Sequence, residues 1–284
     1  MKHGIKIDGR RNNNRRGGTE VAINIIVAGP RGKMGKEAIK MIERVPDFNL
    51  VAVIDRKNDG KFLNEITEES DAQVPVYEDL AECFQQIDAD VFIDLTSPEP
   101  GYKHTKLAIE HRVRAVIGTS GFTKENIKEL KDLSNEYNSG CIIAPNFAIG
   151  AVLMMKFSQM AAQYFPDVEI IEMHHDQKVD APSGTAVKTA EMIQKTRTTK
   201  AQGHPDEREE LEGARGAELD GMHIHSVRLP GLVAHQEVIF GGPGQLFTIK
   251  HDSMSRDSFM DGIKTSIYKV MELETLVYGL ENIL

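Results

Sequence analysis

The sequence has 284 residues, of which 40% are hydrophobic and 27% charged, a composition typical of a globular protein with one large or two modest domains. No apolar run approaches the roughly 20 residues that cross a bilayer, and the formal net charge of −9 argues against binding nucleic acid over the general surface. The two isolated cysteines, Cys83 and Cys141, predict neither a disulfide framework nor a zinc site and favour a reducing cytoplasm.

Residues 1–20 differ in composition from the rest of the chain. They carry six Lys/Arg against two Asp/Glu, a run of asparagines and few apolar side chains. They contain no apolar segment of the kind that a secretory signal needs. The pattern is typical of a disordered leader or a remnant of expression cloning, with a basic RNA-binding arm as the alternative.

Apolar strand patterns alternate with helical patterns between residues 21 and 147. Strands are predicted at 21–30, 49–55, 90–96, 114–120 and 141–147. Helices are predicted after residue 33 and at 78–87, 101–112 and 123–137, the first from the apolar spacing of Met34, Ala38, Met41, Ile42 and Val45. A series of such units predicts a parallel sheet with helices on both faces.

The turn after the first strand contains Gly29, Gly32 and Gly35. Glycines allow backbone amides to approach a phosphate at a helix N-terminus, and Asp55, at the end of the second strand, suits a ribose diol. The pattern is G-x-x-G-x-x-G and not the usual G-x-G-x-x-G, so a tight turn without a ligand is the alternative. Its position between strand and helix, together with the acid, favours a dinucleotide site in a Rossmann-type domain.

The residues around this turn carry opposing signals for the cofactor. Arg31, Arg56 and Lys57 suit a 2′-phosphate, whereas Asp55 suits a free diol, so we predict that both NADH and NADPH are used. The ends of two further strands, residues 118–120 and 144–147, are predicted to border the nicotinamide, with ordinary turn chemistry as the alternative.

The second half has a different pattern. A helix at 148–165 and a strand at 167–175 precede a polar segment at 195–221, which we interpret as a mobile surface loop. Three strand patterns follow at 223–229, 235–242 and 245–253, the last two joined by Gly-Gly-Pro-Gly. No helix separates these three, so a meander in an antiparallel or mixed sheet is predicted. An amphipathic helix at 258–273 is expected to pack back on the first domain.

Histidines in this half raise the question of a metal site. Neighbouring strand residues point to opposite faces, so His174 and His175 share no metal unless the strand ends there. His223 and His225 share a face, but no acid or cysteine joins them at a recognisable ligand spacing. The sequence therefore predicts no metal site.

Acid–base chemistry and anion binding explain the stretch at 170–190 better. Histidine is the side chain best suited to exchange a proton near neutral pH, so His174 or His175 is a candidate acid/base group, and Lys178 supplies a cation and a proton. Residues 183–185 open a helix at 186–194, where free amides and the helix dipole favour a carboxylate or phosphate. Capping by Ser183 alone is the alternative reading.

The motifs GPRGKMG, VFIDLTSPE, VIGTSGF, APNFAIG and EMHHDQKVDAPSGTA resemble those of the 4-hydroxy-tetrahydrodipicolinate reductase (dihydrodipicolinate reductase) family. The resemblance extends from about residue 23 to the C-terminus. It implies reduction of a cyclic dicarboxylate, 4-hydroxy-tetrahydrodipicolinate, to tetrahydrodipicolinate by NADH or NADPH in diaminopimelate and lysine biosynthesis. It further implies a homotetramer assembled through the C-terminal sheets.

The resemblance also implies roles for individual residues. His174 would be the acid/base group, Lys178 the proton donor, and His175, Ser183, Gly184 and Thr185 would hold the substrate. Pro30-Arg31 stands where the family often has Gly-Gly or Ala-Gly. The cofactor would be contacted by Gly29, Pro30, Arg31, Gly32, Lys33, Met34, Gly35, Asp55, Arg56, Gly118, Thr119, Ser120, Ala144, Pro145, Asn146 and Phe147.

The expected fold is therefore α/β, with a Rossmann-type parallel-sheet dinucleotide domain and an α+β substrate domain that contains a mixed or antiparallel sheet. We assign residues 21–147 and 257–284 to the first domain, and 148–256 to substrate binding and oligomerisation. Three alternatives stay open at this point: another two-domain NAD(P)-dependent dehydrogenase, a non-catalytic dinucleotide sensor and a zinc hydrolase.

Overall fold

Two sheets organise residues 22–284, the part of the chain that the computed structural model describes. The interpretation of residues 1–20 falls outside this range. The first sheet has seven strands: β1 (Ile23–Ala28), β2 (Phe48–Ile54), β3 (Val76–Tyr77), β4 (Val91–Asp94), β5 (Arg114–Ile117), β6 (Cys141–Ile143) and β12 (Leu276–Tyr278). The second has five: β7 (Asp167–His174), β8 (Ala217–Leu219), β9 (Met222–Arg228), β10 (Ala234–Gly242) and β11 (Gln245–Ser253).

All strands of the first sheet are parallel, in the order β12-β6-β5-β4-β1-β2-β3. Successive side chains alternate between two packed layers: Ile25 and Val27 belong to one core cluster, and Ile26 and Ala28 to another. Helices cover both faces, which is why these strands are almost wholly apolar. The helices of this half are α1 (Lys33–Arg44), α2 (Leu80–Gln86), α3 (Pro98–Glu110), α4 (Lys124–Tyr137) and, from the C-terminal part, α7 (Met260–Val270).

The second sheet has the order β11-β10-β7-β9-β8 and is mixed, because β7 and β9 run parallel while the other pairs are antiparallel. Helices α5 (Ile149–Ala161) and α6 (Gly184–Gln194) pack with one face of it, where Ile170, Val238 and Phe240 are buried. The predicted meander is wrong in one respect: β7 lies between β9 and β10, so these consecutive strands are not neighbours.

Several details differ from the sequence prediction. The strands β3, β8 and β12 have only two or three residues each, too few for a periodic pattern to predict. β5 and β6 end at Ile117 and Ile143, so the motifs that follow them are loops. The polar segment at 195–221 is also anchored, since buried Arg197 donates hydrogen bonds to the carbonyl oxygens of Pro166, Lys200 and Asp220. No helix within residues 22–284 is long and apolar enough to span a membrane.

Candidate active site

A cleft of about 620 Å³ lies between the carboxyl ends of the first sheet and the substrate half of the chain. Ser120, Pro145 and Asn146 come from the loops after β5 and β6. His174 and Lys178 come from the end of β7 and the loop after it, and residues 183–185 from the start of α6. A smaller cavity of about 210 Å³ adjoins the cleft and shares Asn146, His174, Ser183 and Thr185 with it. The ends of elements from both halves therefore converge on one space.

His174 is the last residue of β7 and is held by a buried acid on the same strand. Its Nδ1 lies 2.6 Å from Oε2 of Glu172, which is fully buried. Residues two apart on a strand share a face, so the alternation of β7 brings these two side chains together. His174 itself is 15% exposed and lines both cavities.

Glu172 is also the centre of a wider network. Arg228, opposite His174 in the β7–β9 register, donates from Nη2 to Oε1 at 2.7 Å and from Nη1 to Oε2 at 2.9 Å. The Ser183 amide donates to Oε1 at 3.1 Å. Burial opposes ionisation of Glu172, but its hydrogen bonds, with His174 and Arg228 foremost, lower its pKa to about 2. The carboxylate is therefore charged at neutral pH.

The start of α6 has the geometry of an anion site. Ser183 caps the helix, its hydroxyl accepting a hydrogen bond from the Ala186 amide at 3.2 Å. Gly184 begins the helix, and a Cβ there would meet nothing within 4 Å, so the space beside it is open. Asn146, at the other side of the cleft, donates from Nδ2 to the Thr185 hydroxyl at 3.2 Å. A small anion at this point would meet helix amides and hydroxyl groups together.

Lys178 faces the same cleft but already has a partner. Its Nζ donates to Oδ1 of Asp180 at 2.6 Å. That bond is the main reason that the pKa of Asp180 lies below its ordinary value. Arg228 donates to the Asp180 carbonyl oxygen at 2.8 Å, so one guanidinium ties the Lys178 loop to Glu172. A bound carboxylate would compete with Asp180 for the ammonium group.

His175 stands apart from this arrangement. It follows the end of β7, is exposed, and is not among the residues that line either cavity. Its carbonyl oxygen accepts a hydrogen bond from the Lys178 amide at 3.2 Å, so its backbone helps to form the loop that carries the lysine. The assignment of its side chain to substrate binding stays a prediction.

The glycine-rich turn packs closely against the start of α1. Gly29 has a φ of +84°, and a Cβ on Gly35 would lie 2.0 Å from the Gly29 carbonyl oxygen, so α1 packs on the turn at a distance only glycine permits. Gly32 caps α1 without a side-chain hydrogen bond, and Lys33 and Met34 begin the helix. The backbone here fits a phosphate group at the helix N-terminus. Pro30 is buried beside Gly29.

Arg31 and Asp55, the residues that favour different cofactors, contact each other. Arg31 donates to Asp55 from Nε at 2.7 Å and from Nη2 at 3.2 Å. Asp55 accepts two more hydrogen bonds, from the Lys57 amide and from Asn58 Nδ2. Burial works against ionisation of Asp55, but the bonds from Arg31, Lys57 and Asn58 outweigh it and lower its pKa. Arg56 is exposed beside this pair.

The remaining predicted cofactor residues differ in accessibility. Ser120 and Pro145 are exposed, while Thr119, Ala144 and Phe147 are buried. The Thr119 hydroxyl donates to Asp94 at 2.8 Å, and a Cβ on Gly118 would lie 3.0 Å from the Phe147 ring. Thr119 and Phe147 therefore use their side chains to shape the loops, which leaves their backbones for any contact with a cofactor.

The histidines of β9 do not assemble a metal site. His225 Nε2 lies 2.7 Å from a Glu169 carboxylate oxygen, and Arg215 donates to the same carboxylate at 2.8 Å. Within the described part of the chain, no group of three or more His, Cys, Asp or Glu side chains is placed to hold a metal ion.

Two family models match consecutive parts of the chain. A model described as dihydrodipicolinate reductase, N-terminus, matches residues 23–147, and one described as dihydrodipicolinate reductase, C-terminus, matches residues 150–284. The chain belongs to the dihydrodipicolinate reductase family. It is therefore an oxidoreductase with a dinucleotide-binding domain, and the resemblance predicted from the motifs is confirmed.

Individual relatives of the dihydrodipicolinate reductase family cover nearly the whole chain. The 4-hydroxy-tetrahydrodipicolinate reductase of Oceanobacillus iheyensis is 66% identical over 265 residues, 93% of this chain and 100% of the relative. That of Bacillus cytotoxicus is 60% identical over 262 residues, 92% of this chain and 98% of the relative. The dipicolinate-bound dihydrodipicolinate reductase of Paenisporosarcina sp. TG-14 is 56% identical, with a TM-score of 0.85 over 93% of this chain and 100% of that structure.

Two residues of this site, Glu172 and Arg228, were not singled out in the sequence. Glu172 occurs in an apolar strand and Arg228 at the end of another, and each alone resembles an ordinary surface charge. The available signal was positional: Glu172 precedes His174 by two, on the face that carries buried Ile170. An acid on the buried face of a strand needs a partner.

Proposed function

We propose that this chain reduces 4-hydroxy-tetrahydrodipicolinate to tetrahydrodipicolinate with NADH or NADPH, in diaminopimelate and lysine biosynthesis. The supporting observation is the convergence of His174, Lys178 and the start of α6 on one cleft, opposite the loops after β5 and β6. An imidazole, an ammonium group and a helix N-terminus together suit a substrate that carries carboxylates and needs a proton. The names of the close relatives agree with this reaction.

The substrate is proposed to bind through its two carboxylates. One would accept hydrogen bonds from the amide end of α6 and from Thr185, and the other would pair with Lys178 in exchange for Asp180. Open space beside Gly184 leaves room for the first carboxylate. The dipicolinate of the Paenisporosarcina structure is a planar dicarboxylate of the same class.

The dinucleotide is proposed to lie along the carboxyl edge of the first sheet. The turn at 29–35 would hold the pyrophosphate. The adenosine ribose, with or without its 2′-phosphate, would contact Asp55, Arg31 and Arg56. The nicotinamide end would lie against the loops at 118–120 and 144–147. The fit rests on the close packing of Gly35 on Gly29, which exposes the start of α1. When bound, the reduced nicotinamide supplies a hydride to C4 of the ring.

His174 and Lys178 are proposed to manage the protons. Loss of the 4-hydroxyl group as water leaves an unsaturated ring; after hydride addition at C4, electron density moves to the ring nitrogen, and His174 or Lys178 delivers the proton that completes the reduction. Lys178 also orients the ring through its carboxylate, which lowers the barrier by fixing geometry. The hydrogen bond from Asn146 to Thr185 would hold the loop after β6 in a fixed position relative to α6.

A homotetramer assembled through the second sheet is part of the proposal. α5 and α6 pack with one face of this sheet, while β11 is an edge strand on which Leu246 is 77% and Phe247 43% exposed. Apolar side chains on an edge strand favour burial against further copies. A cytoplasmic location is also proposed, because Cys83 and Cys141 are both unpaired, as in a reducing compartment.

The experiment is to follow NADH and NADPH oxidation by the purified protein, with substrate generated by the preceding enzyme of the pathway. Oxidation that depends on this substrate is expected with both cofactors. Oxidation only with other acids would favour a different dehydrogenase, and cofactor binding without oxidation would favour a sensor.

A further inference from the structure

Glu172, the acid in contact with His174, is more buried and has more hydrogen-bond partners than a simple ion pair requires. Glu172 is fully buried, and both of its oxygens are used: Oε2 by His174 and Arg228, and Oε1 by Arg228 and the Ser183 amide. Its partners thus include the candidate acid/base group and the first residues of the candidate anion site. One carboxylate connects the two parts of the cleft that the reaction needs.

We propose that Glu172, held charged by Arg228, is a positioning residue that sets the protonation and orientation of His174. A carboxylate only accepts hydrogen bonds, so His174 must donate from Nδ1, which leaves Nε2 to exchange a proton with a molecule in the cleft. When Nε2 takes a proton, the adjacent negative charge stabilises the imidazolium. Through the Ser183 amide, Glu172 also fixes the start of α6 relative to the imidazole. This inference rests on the proposed reductase activity.

The electrostatic surroundings of His174 come from several elements. Arg228 on β9 opposes the imidazolium, and Glu172 on β7 favours it. The other titratable or charged groups that line the same two cavities are Lys178, Asp180, Lys188, Glu191, Tyr278, Glu281, His235 and His251. Of these, Lys178 is paired with Asp180, and His235 Nδ1 lies 2.7 Å from Asp252. Glu172 is the negative group in direct contact with His174.

A similar cluster on the opposite face of β7 provides a matched control. Glu169 contacts His225 and Arg215 at 2.7 and 2.8 Å, so a Glu–His–Arg cluster occurs twice on this strand. Glu169 does not line either cavity. If Glu172 only stabilised the fold, loss of either glutamate would have the same kind of effect.

The experiment compares Glu172→Gln, Glu172→Asp and Glu169→Gln with the unmodified full chain. Glu172→Gln should lower kcat by about 10- to 100-fold, a loss on the scale seen when the hydrogen-bond partner of a metal-bound histidine is removed. It should also move to lower pH the limb of the kcat/KM–pH profile that reports on the imidazole, because a protonated imidazole beside residue 172 loses its adjacent anion. Glu172→Asp keeps the charge and should restore the pH profile while kcat stays reduced. Glu169→Gln should leave the profile unchanged and kcat within about twofold, with its oligomeric state checked by light scattering.

Two further measurements separate a positioning role of Glu172 from a purely structural one. If Glu172→Gln does not fold, the double variant Glu172→Gln/Arg228→Gln, which removes both buried charges, takes its place. Imidazole nitrogen NMR shifts should show the His174 proton on Nδ1 in the unmodified protein, whether or not it turns over substrate. A proton on Nε2, or a pH profile that Glu172→Gln leaves in place, would overturn the positioning role. Absence of turnover in the unmodified protein with Nδ1 protonated would refute the reductase activity alone.

Discussion

Arg31 and Asp55 form a two-bond ion pair across the candidate adenosine site, with nitrogen–oxygen distances of 2.7 and 3.2 Å. The guanidinium that would recognise a 2′-phosphate is therefore held by the carboxylate that would recognise a free diol. Neither group is free to select one cofactor alone. Asp55 is buried, whereas the Arg31 side chain is 42% exposed, so Arg31 is the partner that can turn toward a ligand.

This pairing predicts how the cofactor preference changes. Asp55→Asn removes the charge that holds Arg31 and weakens the acceptor for the diol. The ratio of kcat/KM with NADPH to that with NADH should rise about tenfold, equivalent to about 1.4 kcal/mol. In the unmodified protein, the two Michaelis constants should differ by less than about a thousandfold, or about 4 kcal/mol. Steady-state kinetics with both cofactors measure this, with exposed Asp71→Asn as the charge-matched control. An unchanged or falling ratio would contradict the assigned roles.

Removal of either candidate proton-transfer group should strongly reduce turnover. We expect His174→Ala and Lys178→Ala each to lower kcat by about 10² or more, the usual contribution of a general acid or base. Lys195→Ala, at the exposed C-terminal end of α6, serves as the control and should retain turnover. Normal turnover in both active-site variants, with circular dichroism confirming the fold, would refute the assignment.

The acid stability of the protein should depend on Glu172. Its pKa lies at about 2 in the folded chain, below the ordinary value of 4.5. A depressed pKa stabilises the fold above the ordinary value, and this stabilisation is lost as the pH falls from about 4.5 toward 2. The full contribution is of the order of 3 kcal/mol.

The measurement is the free energy of unfolding in urea for the unmodified protein and for Glu172→Gln. The advantage of the unmodified protein should shrink by about 2 kcal/mol between about pH 6 and about pH 3, since glutamine does not titrate. If the two free energies of unfolding differ by the same amount at every pH in that range, Glu172 has the same charge in the folded and unfolded chain, and the prediction is wrong.

Assembly should depend on the exposed edge strand β11. Leu246 pairs in register with Gly241 and is 77% exposed, so Leu246→Asp places a charge where a second copy would pack. Sedimentation velocity should show a species smaller than the tetramer. Phe62→Asp alters a comparably apolar but remote position, 45% exposed in the dinucleotide half, and should leave the tetramer intact. If Leu246→Asp still forms a tetramer, β11 is not part of the subunit interface.

The sequence predicted much of this architecture because its strongest patterns are local. The glycines of the first turn, the apolar strands and the Ser183 cap each leave a signal within a few residues. The His174–His175 pair was ambiguous for a physical reason: alternation on a strand separates neighbours, and only the structure shows that β7 ends at His174.

What the sequence could not show were the contacts between distant positions. In the sequence, Arg31 and Asp55 indicate separate contacts with the cofactor. Their pairing depends on how the turn after β1 packs beside the end of β2. Arg228 contributes to the site only because β9 runs parallel to β7, an arrangement that a meander would not produce. The same holds for Asn146 and Thr185, which come from different halves of the chain.

The position of β12 in the first sheet affects how the protein folds while it is being synthesised on the ribosome. Ile143 of β6 pairs with Tyr278 of β12, and the whole second sheet lies between them in the chain. Until β12 emerges from the exit tunnel, β6 has an open edge able to pair with other nascent chains. Completion of the nucleotide-facing half therefore waits for synthesis of the other half. A ribosome stalled before residue 276 should display an aggregation-prone product that holdase chaperones bind.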